Sequence, residues 1–384
     1  MIVDRDSLAV RPIADRLLRA LADAGLSPHV GWSNELVRHV VEVKNVQPAP
    51  DLAALPAGFH AAIVAANALL AQENARLMPT AMHPWMDPQR ETTLWDDDIY
   101  RAYDRIYGCQ GHGWANLQSM HVNLPFADDA EFARLHAAIR LVLPLLPALA
   151  ASSPIADGAR SGLLDFRLDA YRNICGITPS VAGHVIPETV ETRAEYEAKI
   201  LRPMYMEIAP HDREGILQHE WLNSRGAIAR FDRSAIEIRV IDVQECPQAD
   251  LSIAAATSAV VRSLYDERYA PLDEQQAIDV DVLHGVLVAS IRDGDCALVE
   301  DVEYLHALGL SASRCSAGEI WASLLGDVDG ERAWWRPAIG TILREGPLAR
   351  RVLRAVGDAP GREAMADVYR TLCQCLDEGR MYRP

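Results

Sequence analysis

Three short segments in which apolar and polar residues alternate constrain the fold of this chain more than any other feature. Residues 37–45 (VRHVVEVKN), 118–126 (QSMHVNLPF) and 234–242 (SAIEIRVID) have this period of two, which is typical of strands. Segments with helical spacing separate them, and the regular strand–helix alternation of a parallel sheet is absent. The sequence therefore predicts an α+β fold with an antiparallel sheet flanked by helices.

Four other segments have the apolar spacing of amphipathic helices. One of them begins at Pro12, a residue that suits a first helical position, and another begins with Asp128 and Glu131 in a capping-box-like arrangement. From about residue 275 to the C-terminus the pattern is mostly helical. We expect helices at residues 12–25, 51–77, 128–150 and 249–266.

No internal repeat, low-complexity tract or Gly/Ser linker divides the chain into modules. We therefore interpret residues 1–384 as one domain, with a sheet-bearing part at 1–270 and a mostly helical part at 271–384. Residues 79–117 are rich in Pro, Gly, Trp and charge, a composition typical of a long functional loop or lid.

Charge and hydropathy argue against several classes of partner. The 54 acidic residues exceed the 37 basic ones, which gives a formal net charge of −17 and disfavours nucleic acid or an anionic membrane. The apolar run at 141–151 is too short to span a bilayer and contains two prolines. The first residues lack the apolar segment of a signal peptide. We expect a soluble, cytoplasmic protein.

Lysine and cysteine usage excludes further motifs. Lys44 and Lys199 are the only lysines, and neither follows a glycine, so a P-loop is excluded. The seven cysteines include no Cys-x-x-Cys pair, which argues against a zinc knuckle or a disulfide framework and fits reduced thiols. The glycines at 108–113 and the His-Glu pairs at 211–220 match neither a dinucleotide fingerprint nor a metallohydrolase motif.

Each predicted strand presents polar groups on one face, because alternate residues of a strand point to the same side. Carboxylates suit hard cations, and arginine suits bidentate contact with phosphate or carboxylate. On the residues alone, the solvated face of an ordinary sheet and a Mg²⁺–nucleotide site are equally good interpretations. The polar residues are Glu42 and Lys44 in the first strand, His121 and Asn123 in the second, and Glu237 and Arg239 in the third.

Four longer motifs follow one another in a fixed order. They are NELVRHVVEVKN (34–45) with the loop AMHPW (81–85), SMHVNLPF (119–126), LLPALAASSPIADG…SGLLDFR (145–167) and AIEIRVIDVQECPQADLSIAAATSAVVRSL (235–264). In this order they resemble the glutamate–cysteine ligase type 2 family of carboxylate–amine ligases. The resemblance runs from residue 1 to about residue 270. No one motif is as specific as a Walker sequence, but four in the right order are a strong signal.

The resemblance implies a glutamine synthetase-like domain whose curved antiparallel sheet forms a funnel for ATP, divalent cations and an amino-acid carboxylate. It implies that the γ-carboxylate of glutamate is activated as an acyl phosphate. An amine, typically that of cysteine, then attacks to give a γ-glutamyl amide, ADP and phosphate. Phosphoryl transfer needs mainly positioning and charge neutralisation, which Mg²⁺ and arginine supply. A ligase that uses a different amine is the alternative.

The same resemblance implies roles for individual residues. Glu42 and Glu237 are expected to bind Mg²⁺, and His121 to bind a metal or contact a phosphate. Glu35, seven residues before Glu42, is a further candidate ligand, with a surface carboxylate as the alternative. Arg239 is expected to neutralise the phosphoryl group or the glutamate carboxylate. The remaining candidates are Arg167 as a substrate or phosphate contact, Asn123 as a metal or nucleotide contact, and Arg225 and Arg230, for which exposed charge is an equally simple interpretation.

The N-terminus departs from the family pattern. Members open with a strand carrying a Glu-x-Glu pair before a Val-Asp turn, whereas this chain has Ile2-Val3-Asp4 and its first glutamate is Glu35. Losing carboxylates from a cation site should weaken Mg²⁺ binding. We expect a start site that was assigned too late. A trimmed chain, and a weakly active or non-catalytic member that binds ligand, are the alternatives.

A basic cluster near the C-terminus is interpreted as a solvated helix face. A contact between subunits of a homo-oligomer is the alternative interpretation. The cluster comprises Arg344, Arg350, Arg351 and Arg354.

Overall fold

The computed structural model describes residues 1–25, 29–328, 333–359 and 361–384. Short strands in small antiparallel sheets combine with many helices, which confirms a mixed fold of helices and antiparallel strands. The strands are β1 (Ile2–Asp4), β2 (Val30–Asn34), β3 (Val41–Asn45), β4 (Ala75–Leu77), β5 (Ser119–Pro125), β6 (Ile155–Ala156), β7 (Ala159–Arg160), β8 (Ala227–Arg230), β9 (Ala235–Asp242), β10 (Leu298–Val299) and β11 (Cys315–Ser316).

The α-helices are shortest around the middle of the chain and longest at α12 and α19. They are α1 (Ala14–Ala24), α2 (Leu55–Leu70), α3 (Pro88–Glu91), α4 (Asp98–Tyr107), α5 (His112–Ala115), α6 (Asp129–Val142), α7 (Pro147–Ala150), α8 (Phe166–Arg172), α9 (Pro179–Ala182), α10 (Arg193–Tyr196), α11 (Arg202–Ile208), α12 (Pro247–Tyr265), α13 (Leu272–Ala277), α14 (Val280–Asp293), α15 (Val302–Ala307), α16 (Ala317–Gly326), α17 (Arg336–Glu345), α18 (Leu348–Val356) and α19 (Arg362–Glu378).

All four predicted helices are present, with differences at their ends. The segment predicted at 51–77 stops being helical at Glu73, because Asn74 adopts a left-handed conformation (φ +50°) and turns the chain into β4. The segment predicted at 128–150 divides into α6 and α7 around a 3₁₀ turn at Leu143–Leu145. Pro144 and Pro147 cannot donate helical hydrogen bonds, which accounts for the change.

The three predicted strands do not form a single sheet. β5 and β9 pair antiparallel, and β8 pairs with the other edge of β9. The segment at 37–45 is a strand only over Val41–Asn45, and this strand, β3, pairs with β2 in a separate two-stranded sheet. The curved, glutamine synthetase-like sheet stays a prediction.

The main core lies under β9 and joins both parts of the chain. Ile236 and Ile238 are buried there together with Ile253 of α12, as the strand and helix patterns predicted. Trp321 of α16 is fully buried in the same core and donates its indole N–H to the carbonyl of Leu145 at 2.8 Å. The C-terminal helices therefore share the hydrophobic core of the sheet-bearing part.

The segment at 79–117 is partly helical, since it contains α3, α4 and α5. Its first residues pack into the interior: Ala81, Met82 and His83 are buried. The segment predicted as a long loop therefore consists of three short helices, a buried stretch at residues 81–83 and the loops that connect them.

The solvated-face interpretation of the C-terminal arginines is wrong for Arg351. Its guanidinium is fully buried and forms an ion pair with the buried Glu245 at 2.6 Å. It also donates to the carbonyl of Tyr382 at 2.6 Å. The sequence did not reveal this because Glu245 lies 106 residues away.

Among the residues that the structure describes, one helical stretch, Leu52–Glu73, is long and apolar enough to cross a membrane by length and composition alone. A single stretch of this kind is weak evidence for a membrane span, because core helices of soluble proteins meet the same criterion.

All seven cysteines are free thiols, as their spacing predicted.

Three histidines are almost completely buried and uncharged. Burial lowers the pKa of His39 and of His83 to about 4, and that of His136 to about 3. The His136 ring lies 5.4 Å from the ring of Phe132 and 6.3 Å from that of Tyr196, and neither of its nitrogens has a hydrogen-bond partner among the described residues.

We expect acid to destabilise the fold through these histidines. An unfolded histidine binds a proton near pH 6.5 and the folded ones only near pH 3–4, so the unfolded state gains protons first as the pH falls. Each contributes a loss of about 1.4 kcal/mol per pH unit below 6.5. In urea unfolding at pH 7 and pH 5.5, His136→Phe should lose about 1.4 kcal/mol less than the wild type. The exposed His306→Gln is the control, and equal losses in His136→Phe and wild type would contradict the assignment.

Candidate functional site

The site is built on the pairing of β5 with β9. Asn123 lies directly opposite Glu237, so their side chains share one face of the sheet. The register shifts between Met120 and Val122, which places two residues of β9, Arg239 and Val240, opposite His121. Such a bulge bends the strand and re-aims side chains, and bulges are common beside functional sites.

Glu237 is the centre of a charged cluster on this face. Its side chain is 9% exposed, and its oxygens lie 3.4 Å from Arg239 Nε, 3.6 Å from Arg230 Nη1 and 3.6 Å from His121 Nδ1. Arg239 also donates to the carbonyl of Asn223 at 3.1 Å. The structure therefore brings together four residues that the sequence assigned to the site.

His121 is neutral at physiological pH. Its Nε2 lies 2.9 Å from Ser119 Oγ. Although its side chain is 32% exposed, the surrounding protein displaces water, and this burial together with the charge of Arg239 lowers the pKa of His121 to about 3. A neutral imidazole can accept a hydrogen bond or bind a metal.

The second side of the site comes from β2 and β3. Glu42 pairs across the strands with Ser33, whose hydroxyl donates to the Glu42 carboxylate. Lys44 forms an ion pair with the same carboxylate and donates to Ser33 Oγ at 2.9 Å. Burial opposes ionisation of Glu42, but the hydrogen bonds from Lys44 and Ser33 outweigh it and lower the pKa of Glu42.

Glu35 joins the two sides. Its side chain reaches solvent, yet the protein around it and the negative charge of Glu42 raise its pKa to about 7. The positive charges of Arg239 and Lys44 oppose this shift, so Glu35 lies within electrostatic reach of both sheets. Electrostatic interactions and ion pairs connect Glu35, Glu42, His121, Glu237 and Arg239, and we call this group of side chains the polar recess.

Tyrosines of α4 border the polar recess. Tyr100 accepts a hydrogen bond from Asn34 at 3.2 Å, next to Glu35. The ring of Tyr103 lies 5.2 Å from that of Trp114 and 5.9 Å from that of Trp221. Sequence reasoning missed this border. The signal was the tyrosines at 100, 103 and 107, which share one face of a helix in a segment first interpreted as a loop.

Arg225 contacts the polar recess indirectly, through Asn223. It forms a bidentate ion pair with Glu188, at 2.7 and 2.6 Å, and donates to the carbonyl of Ser180 at 2.9 Å. It also donates to Asn223 Oδ1 at 3.2 Å, and Asn223 is the residue whose carbonyl holds Arg239. Exposed charge is therefore wrong as an interpretation of Arg225, whose side chain is 3% exposed. Direct contact of Arg225 with a nucleotide stays a prediction.

Arg167 lies in the core behind β9. Its side chain is 2% exposed, pairs with the fully buried Asp242 and donates to the carbonyl of Val240 at 2.7 Å. Asp242 also accepts hydrogen bonds from the Ser152 N–H at 2.8 Å and the Ser153 hydroxyl at 3.1 Å. The serine and arginine motifs between 152 and 167 thus anchor β9, and substrate contact by Arg167 stays a prediction.

The four predicted Mg²⁺ ligands are linked in a row by electrostatic interactions: Glu35 with Glu42, Glu42 with His121, and His121 with Glu237. Among the residues that the structure describes, no group of three or more His, Cys, Asp or Glu side chains is arranged to hold a metal ion. Glu42 and Glu237 instead face cationic side chains. The described side chains therefore do not fit a preformed cation cage, and Mg²⁺ stays a prediction.

Comparison of the sequence with models of known protein families identifies one that matches nearly the whole chain. A model of glutamate–cysteine ligase family 2 matches residues 1–373. The chain belongs to this family. Family membership supports a carboxylate–amine ligase and extends the resemblance past residue 270 into the C-terminal helices.

Individual relatives are distant but cover much of the chain. A protein of Archaeoglobus fulgidus, named only as uncharacterized, is 30% identical over 380 residues, which are 97% of this chain and 95% of the relative. A Ruegeria pomeroyi protein named putative glutamate–cysteine ligase 2 is 26% identical over 69% of this chain and 63% of its own length. A Nocardia farcinica protein named putative glutamate–cysteine ligase 2-1 is 26% identical over 75% of this chain and 70% of its own length.

The location of Arg167 generates a stability prediction. Arg167→Ala leaves the buried Asp242 carboxylate without its counter-ion, which we expect to cost about 3–5 kcal/mol in the free energy of unfolding. Arg172→Ala is the matched control in the same helix, because Arg172 pairs at 2.8 Å with the part-exposed Asp169 and should cost about 1 kcal/mol or less. Urea unfolding measures both. Unchanged stability in Arg167→Ala, with lost ligand binding, would instead indicate a substrate contact.

Proposed function

We propose that the protein is an ATP-dependent carboxylate–amine ligase that joins glutamate to an amine as a γ-glutamyl amide. With cysteine the products are γ-glutamylcysteine, ADP and phosphate. Ligases with another amine acceptor, and a non-catalytic member that binds ligand, are the alternatives. The proposal includes ATP and Mg²⁺ as the nucleotide complex and assigns no role to nucleic acid or membrane.

The observation that carries this proposal is the pair of arginines beside Glu237. The Nε atoms of Arg230 and Arg239 are buried and form no hydrogen bond within the described part of the chain. Each lies 3.4 Å from a carboxylate oxygen, that of Asp232 for Arg230 and that of Glu237 for Arg239. Buried guanidinium donors are normally satisfied by hydrogen bonds, so two arginines held by these longer contacts can turn toward an anionic ligand. Phosphoryl and carboxylate oxygens are the acceptors that match a guanidinium.

The reaction proceeds in two displacements. A γ-carboxylate oxygen of glutamate attacks the terminal phosphorus of ATP and ADP leaves, which gives an acyl phosphate. The amine nitrogen then attacks the acyl carbon, loses a proton and expels phosphate, which takes the former carboxylate oxygen with it. Arg239 and Arg230 are proposed to balance the negative charge of the transferring phosphoryl group, the main requirement of such a step.

Magnesium is proposed to arrive with the nucleotide. Mg²⁺ in proteins is commonly bound by one or two carboxylates together with substrate phosphates, and an all-protein cage is not required. Glu237, Glu42, Glu35 and His121 are the proposed protein partners. No step above depends on an ion that the protein holds by itself.

Release of ADP tests the proposed function. The protein is incubated with ATP, glutamate and a panel of amines, with and without Mg²⁺, and ADP is measured. The panel includes cysteine and larger aromatic amines, because Tyr103 and Trp221 border the polar recess. We expect ADP release that requires both glutamate and one of the amines. No release above background with any amine would leave only the non-catalytic alternative.

Arg239→Ala should lower kcat by about 100-fold or more, because it removes charge that the transition state needs. Arg262→Ala is the control: Arg262 lies in an exposed ion pair with Asp266 at 2.7 Å and should keep wild-type turnover. Steady-state ADP release measures both variants, and thermal unfolding checks that Arg239→Ala is folded. Near-normal turnover in folded Arg239→Ala would show that β9 does not carry the reaction.

A further inference from the structure

We infer that the Lys44 ammonium occupies the place beside Glu42 where the family resemblance leads one to expect a divalent cation. The free protein then binds no divalent ion at this carboxylate, and a metal reaches the polar recess only with a phosphate-bearing ligand. The inference takes its location from the proposed function and needs no turnover to be tested.

Lys44, Ser33 and Glu42 each contact the other two through their side chains. Its Nζ pairs with Glu42 Oε2 and donates to Ser33 Oγ at 2.9 Å, and the same Ser33 hydroxyl donates to the same Glu42 oxygen. Glu42 and Lys44 are two residues apart in β3 and therefore point to the same side of the strand. The ammonium is thus tethered beside the carboxylate that it neutralises.

Cationic side chains of the chain itself already face the carboxylates of the polar recess. Its carboxylates are Glu35, Glu42 and Glu237, and its cationic side chains are Lys44, Arg230 and Arg239. Arg230 also pairs with Asp232 at 3.4 Å, and the chain itself supplies counter-charges to these carboxylates.

In the free protein, a divalent ion and this ammonium compete for the same place at Glu42. Mg²⁺ binds carboxylate oxygen at about 2.1 Å, inside the space that a hydrogen-bonded ammonium fills, so the two cations need the same oxygen even though the Lys44 side chain is 51% exposed. Lys44 is also one of only two lysines among 37 basic residues. Its ammonium is a compact point charge, a closer substitute for a small cation than a planar guanidinium.

Binding of Mn²⁺ alone to the free protein tests the inference. Free Mn²⁺ is followed by electron paramagnetic resonance during titration, without nucleotide or glutamate. We expect Lys44→Gln to bind one Mn²⁺ at least tenfold more tightly than the wild type, because it frees Glu42 and leaves Glu35 nearby. Adding Glu42→Gln to this variant should abolish the gain.

Two controls separate this effect from a general change of charge. Lys44→Arg keeps the cation and should bind Mn²⁺ as weakly as the wild type. Lys199→Gln removes the other lysine, which pairs with Glu195 at 3.0 Å on an exposed helical surface, and should also show no gain. Circular dichroism confirms that each variant is folded.

Two results would overturn the inference. One is a wild-type protein that already binds Mn²⁺ as tightly as Lys44→Gln and loses it on Glu42→Gln. The other is a folded Lys44→Gln variant with no gain in affinity. Neither result bears on ADP release, so failure of this inference and failure of the proposed ligase activity are distinguishable.

Discussion

The antiparallel pairing of β5 with β9 is the contact on which both the core and the polar recess depend. One face of β9 buries Ile236 and Ile238 in the main core, while Glu237 and Arg239 emerge on the other face. The bulge opposite His121 interrupts the strict alternation of faces in β9, so that the two residues that follow Arg239, Val240 and Ile241, are both buried. A slip of one residue would send the charged side chains into the core, so the register of this pair also fixes the site.

Electrostatic balance is the second constraint. Glu237 is nearly buried, and a carboxylate in such a position is stable only with close cationic partners, which Arg230 and Arg239 supply. These contacts, at 3.4–3.6 Å, are longer than a strong charge-assisted hydrogen bond. The arginines can therefore move to an incoming anion at modest cost. Lys44 beside Glu42 extends the same principle to the other side of the recess.

The sequence predicted what depends on local pattern. The period of two placed β5 and β9 to within a residue or two, and it chose the faces of Glu237 and Arg239 correctly. It missed β2 and β8, which contain too few alternating residues to stand out, and it joined β3 to the wrong sheet. Side chains whose partners are distant in the chain were also misjudged: Arg167 meets Asp242 75 residues away. Long-range ion pairs leave no periodic signal.

The central claim is that the γ-carboxylate of glutamate is activated as an acyl phosphate. Following the oxygen atoms of that carboxylate into the products tests it most directly. The protein would turn over glutamate labelled with ¹⁸O in its γ-carboxylate, together with ATP and the amine that supports ADP release, and ³¹P NMR or mass spectrometry would analyse the phosphate formed. Attack of the carboxylate on the terminal phosphorus predicts one ¹⁸O atom in each phosphate. Phosphate that contains no ¹⁸O, with the oxygen lost from the carboxylate recovered in water, would contradict an acyl phosphate at this site.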